Sequence, residues 1–122
     1  MSVKNYSDKK LLEQLFNVLE ENMEKGKADI KTLATQLGIS TCQLNRRIKE
    51  ATGQTTSDYV MGIRIEKAKR MLSQFPEITI YDIALQCGFV DTSHFSHVFR
   101  RKEGISPKQY ILLQPSRPPQ KE

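Results

Sequence analysis

One pattern occurs twice in this chain. Leu33-Ala34, Leu37-Gly38-Ile39, Leu44, Ile48, Gly53 and Tyr59 return as Ile83-Ala84, Cys87-Gly88-Phe89, Phe95, Phe99, Gly104 and Tyr110. The offset is 50 residues through Ile39 and Phe89 and 51 from Leu44 and Phe95 onward, so the second copy carries one extra residue near Val90-Asp91. Such self-similarity restricts the chain to two copies of one supersecondary unit. The residue types say which unit. Ala34 and Ala84 are small where a longer side chain would hold two crossing helices apart. Gly38 and Gly88 end a helix in the left-handed conformation, which other residues adopt only at a cost of about 1 kcal/mol or more. Small residue, glycine turn and flanking apolar positions together describe a helix-turn-helix, in which two helices cross steeply. One copy is a weak signal, because alanine and glycine are common at helix ends. Two copies in register constrain the whole fold.

Strand signals are nearly absent, and helix punctuation recurs throughout. The chain therefore reads as all-α, with two helix-turn-helix subdomains joined by a long connector helix, about seven helices in total. Asp8 is a candidate cap for a first helix to about Lys25, with Leu11, Leu12, Leu15, Phe16, Leu19 and Met23 at helical spacing and Gly26 as its stop. A second helix follows Asp29 and ends at Gly38. A third opens at Ser40, which forms a capping-box pattern with Gln43, and closes before Gly53. The connector carries Val60, Ile63, Ala68, Met71 and Leu72 inward and Arg64, Lys67, Lys69 and Arg70 outward, until Phe75-Pro76 breaks it. Thr79 starts the next helix, Thr92 to Glu103 forms another, and Ser106-Pro107 opens the last. The expected divisions are 1–7 as a disordered start, 8–56 as the first subdomain, 57–75 as the connector, 76–113 as the second subdomain and 114–122 as a disordered tail.

The net charge of +5 and pI near 9.3 favour a polyanionic partner, and the distribution of charge is more telling than its sum. Residues 1–30 hold five Lys and six acids, residues 41–70 seven Lys or Arg against three acids, and residues 92–109 four against one. Positive charge thus gathers around the second helix of each unit. The two cysteines lie 45 residues apart with no short Cys or His spacing beside them, which argues against a disulfide framework or a zinc site and for a cytoplasmic protein. His94 and His97 share a helix face but have no third ligand, so no metal and no cofactor is expected. No apolar run reaches the roughly 18 residues that span a bilayer, so no membrane partner is expected. Catalysis has no visible apparatus, since the acids are scattered and no glycine-rich phosphate loop occurs.

The most specific stretch runs from Asp82-Ile83-Ala84 through Cys87-Gly88-Phe89 to Ser93, Phe95, Ser96, Phe99, Arg100, Gly104-Ile105-Ser106-Pro107 and Tyr110. With Arg64-Ile65, Ala68-Lys69 and Met71-Leu72, it resembles the DNA-binding domain of AraC/XylS-type transcriptional regulators over residues 10–112. That resemblance implies two helix-turn-helix units on one connector and sequence-specific binding of double-stranded DNA by a bacterial regulator. In such units the second helix meets base edges while other groups hold phosphates. On the first such helix Cys42, Asn45, Arg46 and Lys49 form an outward stripe. Arg46 suits guanine and Asn45 adenine, with Thr41 and Gln43 flanking. On the second, Thr92, Ser93, Ser96 and His97 face the groove, with Lys49, Arg100, Arg101 and Lys108 for phosphates. Cys42 and His97 stand where family members often carry longer base-contacting side chains, and because short hydroxyls and one imidazole read bases less decisively than Arg46, the first helix is expected to carry more of the specificity. RNA polymerase is a candidate second partner, through Lys67, Lys69 and Arg70 of the connector. An N-terminal sensory or receiver domain is a candidate third. The competing class is a helical protein-interaction module that uses the same faces without DNA affinity.

Overall fold

A computed structural model of the chain describes residues 6–23, 29–75 and 77–113. These form α1 (Tyr6–Met23), α2 (Ile30–Leu37), α3 (Thr41–Thr52), α4 (Thr56–Gln74), α5 (Ile80–Gln86), α6 (Thr92–Glu103) and α7 (Pro107–Leu112), with no strand among the described residues. The all-α fold of two helix pairs and a long intervening helix is the one expected. The packing divides inside α4, between Ile63 and Arg64, into two units. Residues 56–63 of α4 therefore belong to the first unit and the rest to the second. The expected stop at Gly26, Pro76 and the segments 1–5 and 114–122 lie outside the described residues.

In the first unit α1 packs against α2 and α3. Its buried apolar side chains are Leu11, Leu15, Leu19 and Met23, one every four residues, and they close over Leu33, Ala34, Leu44 and Ile48. Each fully buried leucine contributes roughly 1.5–3 kcal/mol. The apolar stripe is narrower than expected, for Leu12 is half-buried and Phe16 is 40% exposed. Asp8 is not a cap: α1 begins two residues earlier at Tyr6, and Asp8 lies buried in its first turn. Arg47, half-buried on α3, donates from Nη2 to Ser7 Oγ at 2.9 Å and so ties α3 to the start of α1.

The second unit repeats this plan with rings in place of aliphatics. Phe89, Phe95, Phe99 and Tyr110 meet edge to face in series, with centroids 5.2, 5.7 and 5.6 Å apart. Such pairs each add about 0.5–1.5 kcal/mol beyond area burial.

The turns match atom for atom where the repeat demands it. Gly38 (φ 76°) and Gly88 (φ 93°) are both left-handed. Ile39 N–H donates to Ala34 O at 3.1 Å and Phe89 N–H to Ala84 O at 2.9 Å, the same six-residue closure in each unit. After the glycine the copies diverge by the expected single residue. Ser40 caps α3 two positions on, whereas Asp91 caps α6 three positions on, leaving Val90 between them 82% exposed.

The connector corrects the expectation for its charges. Arg64 points inward and is only 9% exposed, its Nη1 donating to Gly88 O at 3.4 Å and its guanidinium over the Phe89 ring at 5.8 Å. Half-buried Lys67 donates to Gln86 O at 3.2 Å. Lys69 pairs with Glu66 at 3.1 Å and Glu103 at 3.3 Å. Of the four residues assigned outward, Arg70 alone is exposed.

Candidate nucleic-acid interface

Helix α3 owes its outward face to its cap. Ser40 Oγ accepts from Gln43 N–H at 3.0 Å and Gln43 Oε1 accepts from Ser40 N–H at 3.0 Å, so two otherwise orphaned donors are satisfied. Burial of Leu44, Ile48 and Ala51 then fixes the rotation of the helix, and Thr41, Cys42, Asn45, Arg46 and Lys49 emerge exposed on the far side. Gln43 is exposed as well, but its side-chain oxygen is engaged in the cap. Lys49 reaches the carbonyl of Gly53 at 3.3 Å, where an ammonium also meets the negative end of the helix. Cys42, Asn45, Arg46 and Lys49 line a single depression with Ile30, Thr55, Thr56 and Ser57. Sequence reasoning did not single out Ile30, Thr55 or Ser57. The signal was available for Thr55, which corresponds at offset 51 to the cap Ser106, and it does cap α4, accepting from Asp58 N–H at 3.1 Å.

Helix α6 presents a different face. Ser93 and His97 are exposed, whereas Thr92 and Ser96 are half-buried and offer less to a partner than expected. Its cap is an acid: Asp91 Oδ1 accepts from His94 N–H at 2.7 Å. The exposed Asp91 carboxylate therefore sits where α6 would otherwise offer bare amides and a positive helix end. Arg100, Arg101 and Lys102 stand in the last turn, so the cationic charge of this helix lies at its C-terminal end. Arg100 and Arg101 are exposed, and so is Lys108, the second residue of α7, behind the Ser106 capping box. His94 is exposed but stands with its ring against the edge of Phe89, centroids 5.4 Å apart.

The basic surface expected on the connector is reduced to Arg70, since Lys67 and Lys69 are bound to groups of their own unit. Among the described residues no group of three His, Cys, Asp or Glu stands close enough to hold a metal ion, and no helix is long and apolar enough to cross a membrane. Cys42 is exposed and Cys87 buried.

A family model described as a helix-turn-helix domain matches residues 33–112. The transcriptional activator RhaS of Enterobacter sp. (strain 638) is 36% identical over 98 residues, 80% of this chain and 34% of that protein. The C-terminal domain of the two-component response regulator yesN from Fusobacterium nucleatum superposes with a TM-score of 0.74 at 32% identity, over 84% of this chain and 98% of that one. The DNA-binding domain of AdpA, a global transcriptional factor solved with a target DNA, gives 0.71 at 28% identity, over 88% and 97%. The chain spans 34% or less of the length of the curated relatives it matches.

Proposed function

The chain belongs to the AraC-type helix-turn-helix family, and we propose that it is the sequence-specific DNA-binding part of a transcription regulator, with α3 and α6 in successive major grooves of one duplex. The observation that carries this reading is the pair of matched turns. Each delivers a helix with a buried aliphatic or aromatic side and an exposed polar one, flanked by Lys or Arg. Successive grooves on one face lie roughly 34 Å apart, which suits two helices held on one chain. Arg46 and Asn45 are the principal base readers, with Cys42 beside them. Ser93 and His97 read the second element, and Thr92 and Ser96 contribute through whatever part of their side chains reaches the groove. Lys49, Arg100, Arg101 and Lys108 hold phosphates. The role is binding rather than catalysis, in keeping with relatives that are transcription regulators. Sensing falls to an N-terminal sensory or receiver domain in a longer regulator, a reading favoured by how little of its relatives the chain spans. RNA polymerase, if it is engaged here, meets a surface other than Lys67 and Lys69.

Selection of sites from a random duplex pool, followed by titration of the winner and a scrambled control across salt, tests the reading. Two enriched elements about one helical turn apart, bound far more tightly than the control, are expected. One element would demote the second unit to a phosphate clamp. Weak, unselective binding throughout would favour the protein-interaction module.

A further inference from the structure

The last carbonyls of a helix have no partner within it and carry partial negative charge. At the end of α5 two of the acceptors in this turn are taken by cations from α4: Lys67 holds Gln86 O and Arg64 holds Gly88 O, at 3.2 and 3.4 Å. Arg64 also covers the Phe89 ring, and that ring packs edge-on to His94 and Phe95 in the first turn of α6, at 5.4 and 5.2 Å. A continuous line of contact thus runs from one buried guanidinium through the turn to the start of the second reading helix. At the other end of α6, Lys69 pairs with Glu103. Helix α4 accordingly meets α6 directly at its C-terminal end and bears on its first turn through Phe89.

The first unit is joined differently at this seam. Its α1 meets α2 through an amide pair, Asn22 Nδ2 donating to Gln36 Oε1 at 3.0 Å and Gln36 Nε2 to Asn22 Oδ1 at 3.2 Å. Beside that pair a hollow lined by Gln14, Asn17, Val18, Gln36 and Leu37 stays open. The difference matches the length of the turns. Where Ser40 follows Ile39 directly, the cap itself sets the entry of α3. Where Val90 intervenes, the link between Gly88 and the cap Asp91 is one residue longer, and contacts from α4 hold Gly88 and Phe89.

We propose that Arg64 is a positioning residue for base reading by the second unit: by fixing Gly88 and Phe89 it sets how α6 is presented, without touching DNA itself. This rests on the reading that α6 enters a groove. The test compares wild type, Arg64→Leu and Arg64→Lys on the selected duplex, on versions with either element scrambled, and on one with both scrambled. Arg64→Leu is expected to lower discrimination at the α6 element roughly tenfold and to leave the α3 element within about twofold, with Arg64→Lys between. Hydrogen exchange should quicken at residues 87–97 and not in α2 or α3. Equal losses on all four duplexes would make Arg64 a phosphate contact, and equal losses at both elements with a general fall in stability would make it merely structural. Either outcome overturns the proposal, as does unchanged discrimination or a wild type that selects only the α3 element. If Arg64→Leu fails to fold, Phe89→Leu carries the same expectations. If wild type ignores sequence altogether, the DNA-reading premise fails, and the exchange measurement still decides whether Arg64 holds the turn.

Discussion

Helix α3 opens on an uncharged cap, Ser40, and α6 on an acid, Asp91. Behind the first lies an aliphatic core of Leu33, Leu44 and Ile48, and behind the second a chain of aromatic rings. The first unit exposes Asn45 and Arg46 along the middle of its helix. The second exposes Ser93 in its first turn and His97 near its middle, and gathers its cations at the far end. What is common to the two is the backbone: alanine, left-handed glycine, the six-residue closure and a side-chain cap. What differs is everything the backbone does not require. On the proposed function a duplicated scaffold can divide its labour, the first copy being the stronger base reader and the second the stronger holder of the strand.

Core substitutions should give the largest effects. Phe99→Ala removes a ring packed between Phe95 and Tyr110 and is expected to cost about 3–5 kcal/mol, with accelerated hydrogen exchange confined to α5, α6 and α7. Comparable losses in α1, α2 and α3 would show that the two cores are not separate. Next comes the division of labour itself. Arg46→Ala should weaken specific binding by roughly 1–3 kcal/mol and relax one base position, whereas His97→Ala should cost less than about 1 kcal/mol and Arg101→Ala should weaken all sequences alike. Competition assays with single-base variants would reverse the comparison if His97 proved the stronger reader. Gly38→Ala meets open space, so only backbone strain of roughly 1–2 kcal/mol should appear in a denaturant melt, a measure of what the shared turn alone requires. Asp91→Ser gives α6 the cap of α3, and should keep the helix while raising affinity for every duplex by about 0.3–1 kcal/mol at low salt. An unchanged salt series would show that the acid lies away from the phosphates.

The smallest effect expected is that of Lys69→Met. Burial lowers the pKa of this ammonium, but its bonds to Glu66 and Glu103 outweigh that and hold it above the ordinary 10.5. A raised cation contributes its stability below the unfolded-state value and loses it as pH climbs through the folded one. The gap between wild type and variant, at most about 1 kcal/mol because solvent still screens these partly exposed pairs, should therefore close above pH 10.5.

Seven helices were legible because their signals are local. Ser40 with Gln43, Thr79 ahead of Asp82 and Pro107 behind Ser106 each announce a helix start within four residues, and the repeat located the extra residue at Val90. The direction of Arg64, Lys67 and Lys69 was not legible. Periodicity sorts side chains by polarity, while a long basic one can lie along apolar surface and deliver its charge to a carbonyl 24 or 19 residues away. The exposed stripe of α3 followed from the spacing of Leu44 and Ile48. The half-burial of Thr92 and Ser96 did not, because short hydroxyl side chains near a helix seam are shaded by neighbours the pattern does not rank. Ile30 of α2, Ser57 of α4 and the cap Thr55 before it join the depression from outside α3, and no single-helix pattern contains them.

The contrast between the two cysteines has a practical side. Cys87 is enclosed in the second core and Cys42 is open on α3, so the natural chain offers a thiol reagent one accessible sulfur. A small maleimide dye should attach at Cys42 alone, and its exclusion by a bound duplex would report occupancy of the first unit in an otherwise unaltered protein.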